Sequence, residues 1–342
     1  IVAKKSGIRV DEFGLGFPPK IFSKKWGDTL YTLNAIPFGG FVKIFGEDAH
    51  GEEIREEDRK TSFVYKPKWI QASVLVAGVT MNIIFAWFVI SVGLMIGLPS
   101  PVDYSGFGKV TNLKLVITEV MPDSAAKIAG LISGDQILKV VSTIGDVEKD
   151  LTPENVKNLI KNSTGDVEIT YKRGSLPADT VSVTPKYDTE SKSRLVGIAM
   201  DSIGTLKLSP PLALLEGART TYFLTKNTAT GLFSFLGGIF TFKSDLSQVS
   251  GPVGIARVVG EARTLGFVYL LTLTALISIN LAIINLLPFP ALDGGRLLFV
   301  FIEAIIRRPI SPKFVKWSNY IGFGLLLLLM VVVTTHDIWK LF

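Results

Sequence analysis

Cysteine is absent from the chain, which excludes a disulfide framework and a thiolate-ligated metal centre. Histidine is almost absent: in 342 residues only His50 and His336 carry an imidazole. Charge is scarce too. Charged residues make up 19% of the chain against 48% hydrophobic residues, a balance too apolar for an ordinary soluble protein. Three stretches hold no charge at all: Val74 to Leu98, Val268 to Leu292 and Ser318 to Thr335. About 20 apolar residues cross a bilayer as a helix, so each is a predicted span. A fourth uncharged stretch, Asn227 to Phe242, is shorter and holds three glycines; it is predicted to be interfacial or re-entrant. An initiator methionine is missing as well. The opening "IVAKKSGIRV" has no signal-peptide pattern, and it reads as a chain entered partway through an element.

What charge there is sums to +6. In a soluble protein that would suggest nucleic acid. Here the bilayer is the simpler cause and no nucleic-acid partner is expected, because Lys and Arg collect on the cytoplasmic side of short loops. The connection between the last two spans carries Arg307, Arg308, Lys313 and Lys316 against Glu303, which places it inside. Residues 1–68 then lie inside, and residues from about Ser100 to Gly266 lie outside. The chain divides into a cytoplasmic-side segment (1–68), a span (69–98), a soluble module (107–205), an interfacial segment (206–266), a broken span (267–306) and a last span (317–337).

Within the first segment, "NAIPFGGFVKIFGED" alternates apolar and small residues around Gly39 and Gly40, which predicts a hairpin. It is either an ordinary surface hairpin or a place where glycine lets another backbone come close. The charge run "GEDAHGEEIREEDRK" that follows reads as solvated and makes His50 a poor buried metal ligand. Asn82 in the first span either bonds a neighbouring helix or faces a polar site. The soluble module mixes strand patterns ("LVITEV", "DVEITY", "TVSVTP", "LVGIAM") with two short helices. Asp123 or Ser124 is set to cap the first helix, Gly130 to end it, and Pro153 to open the second. That makes a small α+β fold. Its run "PDSAAKIAGLISGDQIL" resembles PDZ domains. The resemblance implies a peptide groove beside a strand edge; a size guard over the membrane part is the alternative. In "VSGPVGIARVVGEA" the Gly-Pro-Val-Gly step is expected to break any helix and leave a loop.

The chemistry concentrates in "NLLPFPALDGGRLLF", Asn285 to Phe299. Pro288 and Pro290 remove two backbone donors and forbid a regular helix. Irregular backbone at membrane depth survives only where protein or water covers it. Asp293 then precedes Gly294 and Gly295. A charge at that depth costs about 2.5–3.5 kcal/mol even on the gentler insertion scale, so it marks a functional site by default. Locally, an aspartate that caps the next helix and a pair of turn glycines explain the pattern equally well. The prolines, the carboxylate, the double glycine, Asn280 and Asn285 together are more than a cap requires.

At these residues the chain resembles the site-2 proteases, the zinc intramembrane metalloproteases, and most closely their bacterial RseP-type branch with one PDZ domain. "NLLPFPALDGG" matches the Asn-x-x-Pro-x-Pro-x-Leu-Asp-Gly signature. "VAKKSGIRVDEFGLGFPPKIF", "IPFGGFVKIFGED", the PDZ-like run and "VSGPVGIA" follow the family's order over essentially the whole chain. The resemblance implies a polytopic α-helical membrane protein of the bacterial cytoplasmic membrane, with an inserted extracytoplasmic α+β PDZ-like domain. It implies a Zn²⁺ cofactor with Asp293 as one ligand, and Asn285 holding the substrate backbone or its developing oxyanion. Gly39, Gly40 and Phe41 would add to an unwound substrate as a strand, beside the opening made by Pro288 and Pro290. The implied partners are transmembrane protein substrates, a substrate tail at the PDZ-like domain, and the lipid bilayer. The family's other two zinc ligands and its general-base glutamate come from a His-Glu-x-x-His helix. That motif is absent from the sequence, and it would lie upstream of Ile1. The expectation is a protease whose first transmembrane helix is missing from this chain, inactive as it stands. A non-catalytic relative that binds transmembrane helices or peptides is the alternative. A transporter using Asp293 as an ion site would want internal repeats, and none is seen.

Overall fold

In the computed structural model of the chain, residues 1–47, 54–148, 151–188, 192–241 and 251–339 are described. The elements begin with α1 (Val2–Lys5), β1 (Val10–Trp26), β2 (Thr29–Ile44), α2 (Lys68–Ile96) and β3 (Leu98–Pro101). They continue with β4 (Val110–Val120), α3 (Ala125–Ile128), β5 (Gln136–Ser142), β6 (Gly145–Val147), α4 (Pro153–Asn162), β7 (Val167–Lys172) and β8 (Ala178–Val183). Next come β9 (Lys186–Asp188), β10 (Ser193–Leu195), β11 (Ile198–Leu206) and α5 (Pro210–Phe240). The chain closes with α6 (Pro252–Leu265), α7 (Phe267–Asn285), α8 (Asp293–Ile306) and α9 (Pro312–Trp339). Helices α2, α7 and α9 are long and apolar enough to cross a membrane. Two compact units form. One holds Ile1–Ile84, Gly231–Ser244 and Ser278–Phe342; the other holds Phe85–Thr230 and Asp245–Ile277.

In the first unit, β1 and β2 are long strands that each serve twice. Residues 10–15 run antiparallel to 40–44, and residues 20–26 run antiparallel to 29–34. The register also sets Glu12, Phe13, Gly14 and Leu15 beside Leu30, Tyr31, Thr32 and Leu33, with both numbers rising together. Four segments result, in the order 20–26, 29–34, 10–15, 40–44. The tight turn is Gly27-Asp28, with Gly27 at φ +62°, and not the Gly39-Gly40 step, which lies inside β2. Beneath the strands, Ala3, Ile8, Val10, Phe63, Val74, Leu75 and Val300 form a buried core shared by α1, β1, α2 and α8. Helix α2 starts at Lys68, earlier than the charge-free stretch suggests. The Lys68 ammonium is paired with the buried Glu303 carboxylate of α8, so the charge enters the helix neutralised. Glu303 also accepts from the Ile310 backbone N–H at 2.8 Å.

The second unit holds the strand-rich module. Its seven-stranded sheet runs β3-β11-β4-β5-β7-β8, with β6 beside β5. The sheet begins at Leu98, before the expected residue 107, because β3 pairs with the end of β11. Apolar residues on alternate strand positions and on one face of α4 meet in a core that includes Ile117, Leu131, Ile137, Val156 and Ile169. Ser124 caps α3, accepting from the Lys127 N–H at 3.1 Å; Asp123 instead occupies a left-handed turn at φ +57°. Gly130 leaves α3 at φ +82°, as its position predicts. Thr152 caps α4 and Pro153 sits in its first turn. One expectation changes. The Gly-Pro-Val-Gly step does not make a loop: Gly251 is the N-cap of α6 and Pro252 its first residue, in the first turn, where a missing N–H costs no helical hydrogen bond. The glycines at 231, 237 and 238 do not interrupt α5.

Candidate functional site

Helix α7 ends at Asn285 because Pro288 and Pro290 cannot continue its hydrogen-bond ladder. The chain then turns tightly. Leu286 and Leu287 donate back to Ile283 and Ile284, Phe289 donates to Leu287, and Leu292 donates to Phe289. Ala291 takes a left-handed conformation, φ +75°, and its N–H is held by the Asn319 side chain of α9 at 3.2 Å. Helix α8 then begins at Asp293.

The N-cap position of α8 is Leu292, and no side chain caps the helix. The capping explanation of Asp293 is therefore set aside: its carboxylate stands in the first turn without serving as the cap. The double glycine also gains a specific cause. A Cβ at Gly294 would lie within 3.0 Å of the Leu286 and Leu287 carbonyl oxygens, and one at Gly295 equally close to that of Phe289. Gly322 on α9 meets the Pro290 carbonyl in the same way. Three bare backbones thus let the proline loop lie directly on α8 and α9. Gly295→Ala is expected to cost about 1–3 kcal/mol through overpacking and to displace the Asp293 turn. Thermal unfolding in detergent measures the first effect and substrate cleavage the second.

Beside the carboxylate lies Gly78 of α2: a Cβ there would come 3.9 Å from Asp293 Oδ2. One turn on, Asn82 is tied by its backbone oxygen, which accepts from Ser278 Oγ of α7 at 3.0 Å. Asn285 and Pro290 are half-buried along the connection, Pro288 is exposed, and Asn280 points outward. A groove of about 590 Å³ runs past Pro288 and Gly294, walled by Trp69 and Ala72 of α2 and by Leu297 and Phe301 of α8.

Gly39, Gly40 and Phe41 sit in β2. The backbone that Gly40 admits is the chain's own: a Cβ there would lie 2.8 Å from the Gly14 oxygen, and the Phe41 ring covers Gly14. A link from this strand to the Asp293 turn escaped the sequence reading. Arg296, one turn after Asp293, forms an ion pair with Glu47, just beyond β2. Their separation of 249 residues leaves no local signal. His336 lies exposed on the last turns of α9, and His50 lies outside the described residues.

The family model described as peptidase family M50 matches residues 1–329. A Clostridium perfringens protein provisionally named a zinc metalloprotease is 36% identical over 340 residues, covering 99% of this chain and 92% of its own length. The zinc metalloprotease RasP of Geobacillus kaustophilus is 30% identical over 423 residues, covering 100% of this chain and 93% of its own. The regulator of sigma-W protease RasP of Bacillus subtilis is 30% identical over 419 residues, covering 100% and 94%.

Proposed function

The chain belongs to peptidase family M50, the site-2 proteases, and from that premise we propose that the protein is a zinc-dependent intramembrane endopeptidase cutting transmembrane segments of other membrane proteins. The observation that carries this reading is the Asp293 turn. A carboxylate that caps nothing is held by glycine-tight packing at a break between two apolar helices, beside Gly78 of α2. Such an arrangement costs energy unless the carboxylate has a ligand to meet.

Zinc of the catalytic class takes three protein donors and a water, and supplies an acidified water for attack on a peptide carbonyl. Asp293 suits one donor position. Among the described residues no group of three or more His, Cys, Asp or Glu gathers; in this reading Asp293 is the carboxylate arm of the zinc site. The remaining roles fall to the chain around it. Pro288 and Pro290 keep the connection open. In this reading Asn285 would hold a substrate backbone or a developing oxyanion. The segment of β2 that includes Gly40 and Phe41 forms one border of the four-segment sheet, where an unwound substrate would add as a strand. We read residues 107–205 as a PDZ-like module receiving the substrate's extracytoplasmic tail, and the protein as resident in the bacterial cytoplasmic membrane. The sigma-W name of the Bacillus subtilis relative favours an anti-sigma factor as substrate; a signal-peptide remnant offers the same kind of helix.

The test uses protein expressed from its own gene and purified in detergent with its zinc measured. A helical test segment is expected to be cut inside its apolar stretch. Chelation should stop the cutting and added zinc restore it. Cutting that survives complete zinc removal would overturn the reading, as would zinc-loaded protein that cuts no such segment.

A further inference from the structure

Glu47 and Arg296 stand between the two halves of the proposed site. Glu47 follows β2 by three residues, in a turn closed by its own N–H to the Ile44 oxygen at 3.2 Å. That turn is fixed on both sides. Phe45 N–H donates to the Arg9 oxygen and Phe63 N–H to the Phe45 oxygen, each at 2.9 Å, while the Arg9 guanidinium lies 3.5 Å from the centre of the Phe45 ring. Arg296 is just as constrained, on the helix whose first turn is wedged against the proline loop by Gly294 and Gly295. The ion pair thus joins two stiff parts. Three residues lead from it to the end of β2, and three lead to Asp293.

Holding α8 in place does not require this pair. Val300 is buried in the core beneath the strands, and Glu303 pairs with Lys68 at the other end of the helix. The Glu47 and Arg296 side chains keep 18% and 30% of their surface, so the pair is part-buried and breaking either half also costs stability, which the swapped double variant below controls for. Its value lies in where it sits. A strand advances about 3.3 Å per residue, so a one-residue slip between β2 and Asp293 would present the wrong peptide bond. A misplacement of about 1 Å already costs about 100-fold in rate.

We propose that the Glu47–Arg296 ion pair is a positioning pair, fixing the register between the strand that receives substrate and the Asp293 carboxylate, and so selecting which peptide bond is cut. The inference rests on the proposed protease reading. The experiment maps cleavage sites by mass spectrometry and measures kcat and KM for a transmembrane test substrate, using protein from its own gene. Glu47→Arg and Arg296→Glu are each expected to lower kcat about 10- to 100-fold with KM little changed, and to spread cleavage from one bond to its neighbours. The exchanged double variant, Glu47→Arg with Arg296→Glu, is expected to restore the single site and most of the rate. Single variants that cut the wild-type bond at the wild-type rate would overturn the pair, as would a double variant no better than either single. So would single variants that fail to accumulate in the membrane while the double does, since the pair would then serve folding. Wild-type protein that cuts nothing sinks the protease reading itself, and the pair with it. Wild-type cutting beside indifferent variants sinks the pair alone.

Discussion

Asp293→Asn, placed in the gene that encodes this chain, is expected to abolish cleavage of a transmembrane test substrate while leaving the protein folded. The substitution keeps shape and volume and removes one negative charge. Asp293 is not the cap of α8, so no capping bond is lost. The carboxylate's interaction with the helix N-terminus is worth about 0.3–1 kcal/mol, so the helix itself loses little. Chemistry should respond far more. Altering a group that only supports a metal ligand costs about 10- to 100-fold in affinity or activity, and replacing a ligand should exceed that. Zinc content of the purified variant should fall with its activity, and its thermal midpoint should stay close to that of zinc-free wild type. An active, zinc-loaded Asp293→Asn protein would remove Asp293 from the ligand set. A variant that loses activity only by unfolding would return the residue to a structural role.

Much of this site was legible because it breaks rules that ordinary sequence obeys. A charge-free run interrupted by Pro288, Pro290 and Asp293 admits few structural explanations, and the structure places the break between Asn285 and Asp293. What stayed hidden depends on contacts between distant residues. The glycines after Asp293 looked like turn or cap residues, yet their tight spacing against the Leu286, Leu287 and Phe289 carbonyls exists only after the loop folds back. Lys68 looked like the outside of a span until Glu303 neutralised it from α8. The Glu47–Arg296 pair has no sequence periodicity to announce it. The strand content of residues 10–26 was missed for another reason. With Lys20, Lys24 and Lys25 beside Ile21, Phe22 and Trp26, the segment follows no clean alternation, and Ile21, Phe22 and Trp26 remain exposed. Local chemistry misled at Gly39-Gly40, which lies inside β2 and not at its turn, and again at Pro252. A proline forbidden inside a helix is welcome at its first residue, and the sequence alone did not say which position it held.

Asp135→Ala is expected to destabilise the soluble module by about 3–5 kcal/mol, the usual result of stranding one partner of a buried ion pair. Asp135 is fully buried. Its carboxylate accepts from Arg173 Nε at 2.7 Å and Nη2 at 2.8 Å, and from the Ile132 N–H at 3.0 Å. Arg173 also donates to the Gly130 oxygen at 2.8 Å, so one bidentate pair ties the turn before β5 to the end of β7. These two turns carry a second contact. Gly134 lies under the Leu265 side chain, and Gly174 lies against the Thr264 oxygen, at the end of α6; in both places a Cβ would sit within 3.0 Å of its neighbour. Losing the carboxylate should therefore loosen two places together. In urea, the module's unfolding midpoint should fall, and amide exchange should rise across β5 and β7 and also across residues 262–266. Asp135→Asn keeps an acceptor for Ile132 and should cost less. Unchanged exchange at residues 262–266 in a destabilised Asp135→Ala protein would separate the two contacts. It would leave the ion pair as a property of the module's interior alone.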